Sequence, residues 1–131
     1  MPIFRRKLVI SAVLAGALGA CARTAPILQE TGADFVGQAT LAQRADQIRL
    51  AGAGLGWQME SHGPGLIRGT LNLRSHQAIV DIPFDTRRFS IRYVASTNLD
   101  YDGAVIHRNY NSWVQNLRNA IVAQSSPSSS S

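Results

Sequence analysis

Four short stretches alternate apolar and polar residues with period two: Trp57 to Ser61, Leu66 to Arg74, Gln77 to Phe84 and Arg88 to Ala95. Residues two apart share one face of a strand, so each stretch predicts a half-buried strand. The apolar faces are Trp57 and Met59; Ile67, Leu71 and Leu73; Ala78, Val80, Ile82 and Phe84; and Phe89, Ile91 and Tyr93. On either side the period changes to that of a helix. Thr40 and Gln43 form a capping-box pattern ahead of Leu41, Ala45 and Ile48, and Gly52, Gly54 and Gly56 end that segment near residue 52. Asn109 is a good N-cap for a second helix, with Tyr110, Trp113, Leu117 and Ile121 on one side and Asn111, Gln115, Arg118 and Asn119 on the other. The pattern predicts an α+β fold in two layers: a four-stranded antiparallel sheet whose apolar face is covered by one helix before it and one after it, in the order α-β-β-β-β-α.

The links between strands are Gly63-Pro64-Gly65, Ser75-His76 and Thr86-Arg87, short enough for antiparallel hairpins. A three-residue loop at 63–65 sets Glu60 opposite Arg68 and Trp57 opposite Leu71. A two-residue loop at 86–87 sets Asp81 opposite Arg92, Ile82 opposite Ile91 and Val80 opposite Tyr93. Opposite charges and apolar side chains match in the same registers, which selects them. Ser75-His76 is not a favoured two-residue turn, and Pro83, without an amide donor, suits a strand end or an edge. The polar sheet face carries Gln58, Glu60, Arg68, Thr70, Asn72, Asp81, Ser90 and Arg92. It reads as a solvated surface, with Glu60, Arg68, Asp81 and Arg92 as the candidate interaction face.

The chain ends differ in kind from this body. Arg5, Arg6 and Lys7 precede an uncharged stretch from Leu8 to Leu18 and then small residues, the order of an export signal. The tetrapeptide Leu18-Gly19-Ala20-Cys21 resembles the lipobox of bacterial lipoproteins, in which the cysteine becomes the first mature residue and its sulfur carries a diacylglyceryl group. The apolar run supplies roughly two-thirds of the about 20 residues a membrane span needs, so the expected anchor is lipid on Cys21. Arg5-Arg6 is ordinary in a basic leader and does not by itself mark a twin-arginine signal. This divides the chain into a signal peptide at 1–20, a lipidated tether at 21–39 with one short strand around Pro26 to Gln29, a single α+β domain at 40–124, and a disordered serine-rich tail at 125–131.

Charge and cysteine count narrow the function. The formal charge is +5, but three of the thirteen basic residues and none of the eight acidic ones lie in the leader, so ten basic residues face eight acidic ones thereafter. That balance gives no nucleic-acid footprint. Cys21 is the only cysteine, which excludes an intrachain disulfide and any zinc or iron–sulfur centre built on several thiolates. No cofactor is expected.

Few residues offer chemistry. The stretch Asn98-Leu99-Asp100-Tyr101-Asp102-Gly103 spaces oxygen ligands as the first half of an EF-hand loop does, with Val105 at loop position eight. Asn98 and Asn109 stand where that loop carries its first aspartate and its bidentate glutamate. Asn98, Asp100 and Asp102 are the only metal candidates, but two carboxylates make a weak calcium site, and the plainer reading is that these Asx residues turn the chain. His62, His76 and His107 fall at loops or element boundaries. Ser75, His76 and Asp81 could be drawn as a triad, but Ser75 and His76 on a tight turn point apart, and no Gly-x-Ser-x-Gly elbow presents a nucleophile. Trp57 and Trp113 lie on apolar faces and read as core. No catalytic residue is expected.

The segment from about Leu41 to Val122, above all Arg74-Ser75-His76-Gln77-Ala78-Ile79-Val80-Asp81-Ile82-Pro83-Phe84 and Ile106-His107-Arg108-Asn109-Tyr110-Asn111-Ser112-Trp113-Val114, resembles a group of small proteobacterial envelope lipoproteins. The resemblance implies location and architecture and supplies no catalytic residue. Ala22 after the cysteine implies, in such lipoproteins, transfer to the outer membrane. The expectation is a non-enzymatic, outer-membrane-anchored protein facing the periplasm that binds another envelope component. The alternative is a module binding a small ligand or peptidoglycan fragment between the sheet and the Asn98 to Asn109 loop.

Overall fold

The computed structural model describes residues 23–127; the expected signal peptide at 1–20, Cys21 and the end of the serine tail lie outside the described residues. The four alternating stretches form β3 (Trp57–Ser61), β4 (Leu66–Leu73), β5 (His76–Pro83) and β6 (Arg88–Thr97). Two helices flank them, α1 (Leu41–Gly54) and α2 (Arg108–Ser125). Three further strands accompany these, β1 (Thr24–Pro26), β2 (Glu30–Asp34) and β7 (Val105–His107). The main sheet is therefore five-stranded, all antiparallel, in the order β2-β6-β5-β4-β3, and β1 and β7 form a separate two-stranded ribbon.

The sheet thus has one strand more than the alternation predicts, and it comes from the stretch expected as a tether. Glu30-Thr31-Gly32-Ala33-Asp34 pairs along Arg88 to Arg92. It offers almost no apolar signal, because only Thr31 and Ala33 turn inward. Two single large residues beside it carry the burial instead: Ile27 and Phe35 both enter the core.

Where registers were predictable, they hold. Trp57 lies opposite Leu71, Glu60 opposite Arg68, Val80 opposite Tyr93 and Asp81 opposite Arg92. The β4–β5 turn is different. Leu73 pairs with His76, so the connection is Arg74-Ser75 and Arg74 takes a positive φ of 58°. The shift from Ser75-His76 changes the register by two residues, which leaves every side chain on its own face and is invisible to an alternation argument. A bulge at Ile79/Val80 lets β6 run on to Thr97.

Inward residues of the strands join Ile48 and Ala51 of α1 and Tyr110, Val114, Leu117 and Ile121 of α2 in one core. Burying each large aliphatic side chain is worth roughly 1.5–3 kcal/mol. Trp57 is core as expected, while Trp113 is only partly buried against it. The thin, alanine-rich stripe of α1 does bring that helix close: a Cβ on Gly52 would overlap Met59, whose sulfur also sits 3.1 Å from where a Cβ on Gly69 would be.

One member of the α1 stripe is charged. Arg44, a turn before Ile48, is 1 % exposed. Its Nε donates to the Thr86 carbonyl at 3.0 Å, Nη1 to the Val36 carbonyl at 3.2 Å and to Gln47 Oε1 at 3.0 Å, and Nη2 to the Gly37 carbonyl at 2.6 Å. The guanidinium also lies 4.5 Å from the Phe35 ring centroid. Burial lowers its pKa from the ordinary arginine value.

Arg44→Ala leaves three carbonyls without their donor, and hydrogen bonds to a charged group contribute about 1.5–3 kcal/mol each. The expected loss of unfolding free energy is about 3 kcal/mol, read by urea denaturation. Arg44→Lys recovers only part of it, because an ammonium cannot spread over carbonyls from two separate links.

Candidate functional site

The registers divide the sheet into two ends. One end gathers the Arg74-Ser75 turn, Asn98, the start of α2 and Arg23: Asn98 Nδ2 donates to the Ser75 carbonyl at 2.8 Å, and the Arg108 amide donates to the Arg23 carbonyl at 2.9 Å. The other end gathers the turns at 62–65 and 84–87, the start of α1 and the C-terminus of α2, where the Val36 amide donates to Ser125 Oγ at 2.9 Å. Ser125, expected in the tail, is the last residue of α2 and is buried.

Chain entry at the first end is built, not loose. The Asn111 side chain grips residues 26–28 from α2, donating through Nδ2 to the Pro26 carbonyl at 2.9 Å and accepting the Leu28 amide through Oδ1 at 3.1 Å. β1 pairs Thr24 with His107, and the Ile27 amide donates to the Ala104 carbonyl at 3.1 Å. A tether would have left these groups to water; here they are satisfied by protein.

The 98–104 loop is closed against the domain. Asn98 and Asp100 have positive φ of 57° and 54°. Leu99 between them is 1 % exposed, and the Tyr101 ring lies 4.3 Å from that of Tyr93. Tyr93 meets Tyr110 edge-on at 5.6 Å. The Tyr110 hydroxyl is buried without a hydrogen-bond partner among the described residues, and burial drives its pKa well above the usual tyrosine range.

Asp102 turns the chain. Its Oδ1 accepts the Ala104 and Val105 amides, both at 2.9 Å, and these donors hold its carboxyl below the usual carboxylate range. Asp85 does the same in the β5–β6 turn, accepting the Arg87 amide at 2.7 Å and the Arg88 amide at 2.8 Å. Asn98 spends its amide on Ser75. Among the described residues no group of three or more His, Cys, Asp or Glu side chains is placed to hold a metal ion.

The histidines have separate partners. His62 Nε2 lies 2.8 Å from Glu60 Oε1. His76 Nδ1 donates to the Asn98 carbonyl at 2.7 Å. His107 is the N-cap of α2 in place of Asn109, with Nδ1 accepting the Asn109 amide at 3.2 Å. The rings of His76 and His107 are 6.3 Å apart. Asp81 is not near His76 in function: it takes a two-pronged contact from Arg68, 2.8 Å from Nε and 3.0 Å from Nη2. Ser75, His76 and Asp81 are thus not brought together as a triad.

On the candidate interaction face each ion pair joins residues directly opposite on neighbouring strands, Arg68 with Asp81 and Arg92 with Glu30, and not the pairs set by the 63–65 and 86–87 loops. Arg68 faces Glu60 across the hairpin but bonds Asp81, which raises its pKa first by that hydrogen bond and then by the attraction of the charge. Arg92 faces Asp81 but pairs with Glu30 of β2 at 3.3 Å. The strand missing from the sequence reading supplied that partner.

Two of the surface concavities differ in character. An open apolar cleft of about 580 Å³ lies between α1 and the 62–65 turn, lined by Leu41, Ala42, Ala45, Pro64, Ile67 and Phe84. A more polar groove of about 400 Å³ runs between β2 and α2, where Arg118 donates to the Gly32 carbonyl at 3.1 Å and the Thr31 hydroxyl is buried without a partner among the described residues. No family model, no curated protein and no solved structure matches the chain.

Because the folded-state pKa of Asp102 lies below its unfolded value, its contribution to stability is present above the unfolded pKa and fades as pH falls through the folded one. Asp102→Ala should melt earlier than the parent at neutral pH, and thermal scans should show the two curves converging as pH drops from about 5 toward about 2.

Proposed function

We propose that the protein is a non-enzymatic lipoprotein, anchored through acylated Cys21 in the outer membrane and facing the periplasm, whose α+β domain binds another envelope protein. The observation that carries this reading is the order of Arg5-Arg6-Lys7, the apolar run and Leu18-Gly19-Ala20-Cys21. Thioether-linked chains together with an N-acyl chain exceed the two signals that stable membrane attachment requires. The apolar cleft supports the choice of a protein partner: it lies at the end of the domain away from Arg23, so a chain anchored just before Arg23 turns the cleft toward the periplasm. Its lining suits an apolar segment of a partner exposed there.

In cells, Cys21→Ser should move the protein from pelleted membranes to the soluble fraction; unchanged pelleting would refute the anchor. A photo-crosslinker at position 64 should give one discrete adduct, lost when Ala42→Glu puts a charge into the cleft, while one at position 72 should give none. Retention on purified sacculi with no protein adduct would instead favour glycan binding.

A further inference from the structure

The pairing of β1 with β7 leaves only Ala22 and Arg23 between Cys21 and the first paired residue, Thr24. Three extended steps span at most about 11 Å. Resting on the lipid anchor proposed above, that reach keeps the end of the sheet carrying Arg23 against the bilayer, with no length of free chain for the domain to swing away on.

The chemistry of this end fits what it would meet. Arg23 and Arg74 are exposed, and neither guanidinium has an ion-pair partner among the described residues. Arg108 begins α2 beside Arg23, and His76 and His107 lie between the Arg74 turn and that helix. The acidic residues here are Asp100 and Asp102, and Asp102 has turned Oδ1 to two backbone amides. The opposite end carries Asp34, Asp46, Glu60 and Asp85 with Arg87, Arg88 and the buried Arg44, and there Asp46 is paired with Arg49 and Asp34 with Arg88. Every basic residue after Lys7 is arginine, whose planar fork matches phosphate oxygens in pairs. A Debye length of about 8 Å at physiological salt is comparable to the reach from the anchor, so screening does not remove the attraction.

We infer that Arg23, Arg74 and Arg108 form a second membrane contact, binding the phosphates of anionic phospholipids in the leaflet that holds the anchor. The lipid fixes where the domain is, and the arginines fix which way up it stands.

The test uses the acylated protein, purified from membranes and reconstituted into vesicles, with Cys21 blocked by its lipid. A thiol-reactive fluorophore is placed at Ser75→Cys or at Pro64→Cys, and the vesicles carry a nitroxide quencher on the headgroup. In vesicles of phosphatidylethanolamine and phosphatidylglycerol the reporter at 75 is expected to be quenched and that at 64 not. The asymmetry should be lost with Arg23→Glu plus Arg74→Glu, and in phosphatidylcholine alone, while thermal unfolding of the variant stays near the parent's. Equal quenching at both positions, or asymmetry that survives charge reversal, overturns the contact while vesicle flotation still upholds the anchor. A protein that fails to float overturns the anchor and the contact with it.

Discussion

The fold depends on a positive charge buried without a carboxylate. Desolvating a guanidinium is costly, and a lone buried charge would unfold or displace the segment holding it. Arg44 is tolerated because the link between β2 and α1 and the turn between β5 and β6 present carbonyls that no secondary structure satisfies, at Val36, Gly37 and Thr86. Each side would be destabilising alone. Together they lock the entry of α1 to a sheet turn more than forty residues away, with Phe35 adding its ring face. The edge strand β2, which ends at Asp34 just before this knot, is held in place by it.

That explains which parts of the architecture the amino-acid order discloses. Strands β3 to β6 and the registers of two hairpins are local properties, set by alternation and loop length, and both are written within a few residues. β2 is not local. Its evidence lies on remote elements: Arg118 closes its outer edge through the Gly32 carbonyl, and Arg92 meets Glu30. The grip of Asn111 on residues 26–28 is likewise a contact between positions more than eighty apart. On a helix wheel Asn111 and Arg118 look like solvated residues, and Arg44 looks like an error in the apolar stripe. All three are polar groups assigned to backbone that lacks a partner, which periodicity cannot register.

The candidate site was legible unevenly for the same reason. Asp102 as a chain-turning residue and the separation of Ser75 from His76 follow from side-chain chemistry next to backbone geometry. The ion pairs on the outer face did not follow, because Arg68 and Arg92 each have a register partner on both neighbouring strands and the loops at 63–65 and 86–87 disclose only one of them. Arg68 has Glu60 on one flank and Asp81 on the other and takes the bidentate geometry. Arg92, left without Asp81, turns to the strand beyond.

These pairings bear on where function can reside. With Arg68 on Asp81, Arg92 on Glu30 and Glu60 on His62, the centre of the outer sheet face has little net charge left to attract a partner over distance. The features that stand apart sit at the two ends: exposed arginines where the chain enters, and an apolar cleft where it leaves. Antiparallel strands of about eight residues separate them by roughly 25 Å. A domain polarised in this way has a direction, and under the anchor proposed above the short path from Cys21 to β1 would convert that direction into an orientation at the bilayer. Lengthening the path by a flexible insert between Cys21 and Thr24 would keep both ends chemically intact while removing the orientation, which separates the contribution of each end's chemistry from that of its placement.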